Sequence, residues 1–90
     1  MSWLFDDPKP TGQGARRGHW ETINPRKVKL DHQPKSREAV RYYKRNPGGT
    51  FDESMRGVPF VRRGRVLNGN HRVQAARETG RKIRVWVEDS

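Results

Sequence analysis

Lysine and arginine outnumber aspartate and glutamate two to one along this chain, 20 against 10, leaving a net charge of +10 on 90 residues. Any compact fold must keep those cations at its surface while building a core from the 30% of residues that are apolar. That fits one small domain and leaves no room for a second independent core. The charge surplus favours a polyanionic partner. The chain has no cysteine, which removes disulfides, thiolate nucleophiles and Cys-ligated zinc, so any chemistry must run on oxygen and nitrogen groups. No apolar run is long enough to span a bilayer. Met1–Phe5 leads straight into Asp6 and Asp7, unlike the basic start of a signal peptide. A soluble, cytoplasmic protein without a membrane partner is the expectation. Without disulfides a core this small is marginally stable, and binding a partner would add stability by mass action.

Residues 1–18 carry Pro8, Pro10, Gly12, Gly14 and Gly18 with little apolar periodicity after Phe5, which reads as an extended arm ahead of a domain over 19–90. Trp3, Leu4 and Phe5 either fold back onto the core or anchor another protein chain. Trp20, Ile23, Val28 and Leu30, broken by Asn24-Pro25, predict short edge strands around a turn. Pro34 and Ser36 precede a helix over 37–46, with Ala39, Val40 and Tyr43 as its apolar stripe, Glu38 in its first turn and Asn46-Pro47-Gly48-Gly49 as its stop. The central loop over 47–57 has Asp52 and Glu53 as a possible cap of one helical turn. Val58–Arg62 and Arg65–Asn68 flank Arg63-Gly64 as strand, tight turn and strand. A helix over 71–79 follows, with Val73 and Ala76 inward, Asn68 or Asn70 as its cap and Gly80 as its terminator. Ile83, Val85 and Val87 alternate with Arg84, Trp86 and Glu88 as a closing strand.

Two groups of residues have the chemistry to bind phosphate. Gly69 reaches backbone conformations closed to other residues and lets an anion approach closely. The amides from Asn70 onward are the unpaired donors of a helix N-terminus. His71 can donate to the same anion, and Arg72 can clamp it through two parallel hydrogen bonds. The alternative is structural: Asn70 only caps the helix, and His71 and Arg72 brace the sheet. The second group is basic. Arg37, Arg41, Lys44 and Arg45 recur at helical spacing, and Arg62, Arg63 and Arg65 surround the turn, all suited to phosphate contacts rather than base readout. Tyr42 and Trp86 could stack on bases of a single-stranded target, although each more often packs in a sheet or core.

The stretch from Val66 through Gly69-Asn70-His71-Arg72 to Gly80, followed by Ile83–Val87, resembles the signature of the ParB/sulfiredoxin-like superfamily. Gly57-Val58-Pro59-Phe60-Val61 and Ile23-Asn24-Pro25 resemble its upstream strand and entry segment. The resemblance covers residues 20–88, with Gly69–Ala76 its specific part. It implies an α/β (α+β) fold, a small mixed sheet with two main helices, and a nucleotide phosphate at the Gly-X-X-Arg turn, with CTP or ATP and Mg²⁺ as possible cofactors. Sulfiredoxin activity needs a cysteine after the glycine, where this chain has Asn70, and is excluded. Partition proteins carry further DNA-binding and dimerisation modules, which are not expected in a chain that reaches Ser90 directly after its closing strand.

Catalysis has less support. Glu21, Asp31, Glu38, Asp52, Glu53, Glu78 and Glu88 are scattered without paired spacing, and His19, His32 and His71 lack metal-ligand spacing, so no metal site is expected. A kinase-like base could only be Asp52 or Glu53. The expected function is nucleic-acid binding, DNA more than RNA. The alternatives are a nucleotide-dependent phosphohydrolase or nuclease using the same turn, and a small regulator of phage or mobile-element type docking through Trp3-Leu4-Phe5.

Overall fold

The computed structural model describes residues 16–51 and 58–89. Strand β1 (Gly18–Ile23) leads through a 3-10 turn at Pro25–Lys27 to the short β2 (Lys29–Leu30), then helix α1 (Arg37–Arg45). Strands β3 (Phe60–Arg62) and β4 (Arg65–Asn68), helix α2 (Asn70–Thr79) and strand β5 (Ile83–Glu88) complete the order. One mixed sheet results, ordered β1-β5-β3-β4-β2. β1 runs antiparallel to β5 and β3 antiparallel to β4, while β3–β5 and β2–β4 are parallel. This is the small α+β domain that the periodicities predict, with the two earliest strands at its edges.

Local sequence accounts for most boundaries. Asn24 opens the 3-10 turn by accepting from the Arg26 amide, and Pro25 sits where no amide is needed. The Ser36 hydroxyl caps α1 by accepting from the Ala39 amide at 3.0 Å, and the helix ends at Asn46. Gly80 ends α2 in the left-handed conformation expected of a terminating glycine. The start of α2 differs from expectation. Neither Asn68 nor Asn70 is its cap; Gly69 holds that position at φ +86°, and Asn70 is the first helical residue. Strand β1 also begins at Gly18, inside the segment expected to be arm.

The apolar residues form two clusters, and α2 belongs to both. Val73 packs with Val28, Val61, Val66 and Val85 of the sheet side, whereas Ala75 packs with Ala39, Val40 and Tyr43 of α1. The layers are therefore sheet, α2, α1: of the two helices α2 alone packs in the sheet cluster, and α1 packs on α2. The reason lies in α2, whose short apolar residues occupy two sides and bring both neighbours close. The α1 stripe Ala39-Val40-Tyr43 packs on Ala75 of α2, with Tyr42 and Phe51 against the same cluster. On the opposite face of the sheet Trp86 lies edge-on to Trp20 at 5.4 Å and donates its indole N–H to the Arg16 carbonyl at 2.7 Å. On that face of β5 Trp86 and Glu88 are buried while Arg84 is exposed.

Gly69 is fixed by two independent demands. Its positive φ disfavours any side chain, and a Cβ there would fall 2.7 Å from Cα of Pro59. Gly80 shares the positive φ, at +69°, but a Cβ there would meet open space. Gly80→Ala should therefore cost about 1 kcal/mol, the left-handed penalty alone. Gly69→Ala should cost about 3 kcal/mol or more, because backbone must also move. Urea unfolding of the two variants checks this; equal losses would show that the Pro59 contact has no weight.

Candidate functional site

The turn singled out by sequence lies where β4 passes into α2, and its side chains point to three different neighbours. Asn70 is buried, its Oδ1 accepting from the Asp31 amide at 3.0 Å and its amide nitrogen 3.4 Å from Nε2 of His32. His71 accepts from the Ser36 amide at 3.2 Å, which ties the head of α2 to the cap of α1. Arg72 lays its guanidinium 4.9 Å over the ring of buried Tyr43. Asn70 and His71 therefore act as braces between α2 and the segment joining β2 to α1. Gly69 is needed for the approach of Pro59, a role unrelated to any ligand. The first-turn amides from Asn70 to Arg72 remain the donors a helix start cannot satisfy within itself.

The basic residues named from sequence do not form one surface. Those of α1 lie in the outermost layer, and two of them meet Glu78 of α2. Arg37 places both guanidinium nitrogens on its carboxylate at 2.8 and 2.9 Å, Lys44 adds a contact at 2.6 Å, and Gln74 donates at 2.7 Å. The hydrogen bonds from Arg37, Lys44 and Gln74 hold the Glu78 carboxyl well below the ordinary carboxylate range. Arg41 and Arg45 are exposed, and with Glu38, Tyr42 and Phe51 they line a groove on the outer helix.

Arg62, Arg63 and Arg65 lie on the other side of the molecule, at one end of the sheet. Val61 and Val66 point to the core, so their neighbours Arg62 and Arg65, cross-strand partners, stand on the face away from α2. Lys29 pairs with Arg65 across the parallel contact. A row of Lys29, Arg65 and Arg62 thus crosses three adjacent strands, with about 4.8 Å between strands. Like charges directly opposite repel, and two carboxylates offset this. Asp31 lies 3.7 Å from Arg65, and Glu88 on β5 accepts from Nε of Arg62 at 2.6 Å. Burial pushes the Glu88 carboxyl up, but the Arg16 amide at 2.7 Å and the Arg62 guanidinium outweigh it and hold it below its ordinary value.

Trp86 is buried and hydrogen-bonded, so it is not offered to a base; Tyr42 is half-buried against Tyr43 and Phe51. Trp3, Leu4, Phe5, Asp52 and Glu53 lie outside the described residues. Among the described residues no group of three His, Asp or Glu side chains could hold a metal ion, and no helix is long and apolar enough to cross a membrane.

Sequence reasoning missed four basic residues: Arg26 in the 3-10 turn, Arg77 in the last turn of α2, and Arg81 and Lys82 after it. Arg77 donates to the Pro25 and Val28 carbonyls, and Arg81 donates to the Tyr43 and Lys44 carbonyls at the end of α1. Arg26 reaches the Arg77 carbonyl at 3.4 Å, and Lys82 completes the group. Basic residues on either side of a helix-terminating glycine were the available signal, since helix ends leave carbonyls unsatisfied. No known family model, curated protein or solved structure matched the chain when compared with it.

Two outcomes are expected. Asn70→Ala should cost about 1–3 kcal/mol, since it strands the Asp31 amide, whereas Arg72→Ala should cost about 1 kcal/mol from the lost ring contact; denaturant melts of both variants test the ranking. Both Glu78 and Glu88 are depressed in the folded state, so the stability they contribute is present above the ordinary value of 4.5 and is lost as pH falls below it. Arg37 is exposed, so solvent screens its pairing and the Glu78 share is that of a surface ion pair, smaller than the direction of the shift alone suggests. A double Glu78→Gln, Glu88→Gln variant should flatten the acid limb of the melting-temperature profile; an unchanged limb would place the acid sensitivity elsewhere.

Proposed function

We propose that this protein binds nucleic acid through backbone phosphates, using the basic end of the sheet formed by Lys29, Arg62, Arg63 and Arg65, with DNA as the first target. One observation carries the reading. Arg63 has φ +52°, the one positive φ of a non-glycine residue among those described, at the tip of the two-residue turn between β3 and β4. With Gly64 at φ +77° this is the turn geometry for which Asn-Gly is the favoured pair. An arginine in the left-handed conformation costs about 1 kcal/mol over that choice. Strain of this kind, kept at an exposed position, supports a use for the side chain. Arg63 is exposed next to the row of Lys29, Arg65 and Arg62, in which Asp31 and Glu88 offset Arg65 and Arg62 while Lys29 and Arg63 have no carboxylate partner within 4 Å among the described residues. The net charge of +10 supplies the long-range attraction.

The phosphate contacts position the chain without reading bases, so affinity should depend little on sequence and strongly on salt. Nucleotide binding at the head of α2 rests on the first-turn amides and on Arg72, which has no carboxylate partner within 4 Å among the described residues. The bracing roles of Asn70 and His71 leave it the weaker of the two.

Arg63→Asn separates function from folding because the two effects have opposite signs. The turn should gain about 0.5–1 kcal/mol of stability, while the slope of log affinity for a DNA duplex against log salt should fall by about 1. Fluorescence anisotropy across a salt series, with a thermal melt, measures both. A more stable variant that binds DNA with an unchanged salt slope would remove the hairpin from the interface, and wild-type protein that fails to bind at low salt would remove the reading itself.

A further inference from the structure

We infer that a second, separate site for a phosphate group lies in the cleft between the 3-10 turn and the C-terminal end of α2. The cleft has a volume of about 200 Å³ and is lined by Asn24, Arg26, Arg77, Gly80, Arg81 and Lys82 among others, with no carboxylate among its lining residues. At about 30 Å³ per water molecule it has room for a phosphate and several waters. Two of its lining residues, the half-buried Arg77 and Arg81, are held by hydrogen bonds before any ligand arrives. Arg77 is tied to the Pro25 and Val28 carbonyls, and Arg81 to the Tyr43 and Lys44 carbonyls at 2.9 and 3.3 Å. Neither has an acidic partner within 4 Å among the described residues.

Carbonyl contacts satisfy N–H donors without neutralising charge. The helix dipoles supply roughly half a negative charge at each of the two helix ends nearby, set against four cationic residues. The end of α2 is itself closed, because the amides of Gly80 and Arg81 take the Arg77 and Ala76 carbonyls and Thr79 takes that of Ala75. Positive charge therefore dominates the concavity. Each arginine retains N–H groups beyond those given to carbonyls, five donors being available on a guanidinium. Rigid donors around uncompensated charge form an oxyanion site that pays little ordering entropy on binding. The phosphate can belong to a nucleic-acid backbone or to a free phosphate compound.

The full chain, isotopically labelled, is titrated with inorganic pyrophosphate at low salt and followed by NMR. Saturable shifts are expected at the amides of Gly80, Arg81 and Lys82 and at the Nε groups of Arg77 and Arg81. They should be lost in Arg26→Gln, Lys82→Gln protein, whose two changed side chains are exposed and outside the core. Shifts that do not saturate, that spread evenly over exposed lysines such as Lys29 and Lys35, or that persist in the double variant would overturn the site. The same double variant is then assayed on DNA. An affinity loss of tenfold or more assigns the cleft to the nucleic-acid backbone, and unchanged DNA affinity with lost pyrophosphate shifts assigns it to a free phosphate compound; either upholds the site. Arg63→Asn tests the hairpin independently, so failure of one site leaves the other standing.

Discussion

The scarcity of carboxylates is the constraint around which this fold is arranged. Glu78 sits where α1 meets α2 and gathers Arg37, Lys44 and Gln74 onto one carboxylate. Glu88 sits where β5 meets β3 and the chain entering β1, and receives Arg62 and the Arg16 amide. Each acid offsets positive charge where two elements meet: Glu78 of α2 takes two cations of α1, and Glu88 of β5 takes Arg62 of β3. Asp31 does so more weakly beside Arg65, at 3.7 Å and with both side chains about half exposed.

The cations consequently fall into groups with different physical roles. Some are neutralised at those junctions. Arg77 and Arg81 instead serve as donors to backbone carbonyls, fastening the 3-10 turn to α2 and the loop after α2 to the end of α1. Their charge persists after their hydrogen bonds are made, which distinguishes them from an ion-paired arginine. Others, including Lys29, Arg41, Arg45 and Arg63, are exposed. A single count of +10 conceals these differences. The exposed group provides attraction over distance, whereas the carbonyl-bound group provides fixed geometry in a cleft.

The head of α2 shows how one motif can meet two demands. Gly69 accommodates Pro59 and a positive φ, Asn70 satisfies the Asp31 amide, and His71 accepts from the cap of α1. These contacts set the position of α2, which packs against the sheet on one side and α1 on the other. Small changes here propagate to both core clusters, since Val73 and Ala75 follow within one turn. The residues that resemble a phosphate-binding signature thus act as structural ties.

Much of the local structure was written in the sequence. The alternation of Ile83, Val85 and Val87 defined β5, Arg63-Gly64 defined the hairpin turn, Ser36 stood ahead of α1, and Gly80 marked the end of α2; each depends on neighbours within a few residues. What depended on distant residues was decided only by tertiary structure. Helical spacing could group Arg37 with Arg41 and Lys44, but not reveal that Glu78, far along the chain, would neutralise two of them. Composition could supply the arginines that flank Gly80, yet only packing made them donors to Pro25, Val28, Tyr43 and Lys44. The spacing of Asn70, His71 and Arg72 was equally consistent with a pocket or a brace, because the partners that distinguish them sit in the segment before α1 and, for Arg72, in α1 itself. Periodicity encodes which face of an element is apolar, whereas the identity of the neighbour opposite a polar side chain is fixed only when the chain closes on itself.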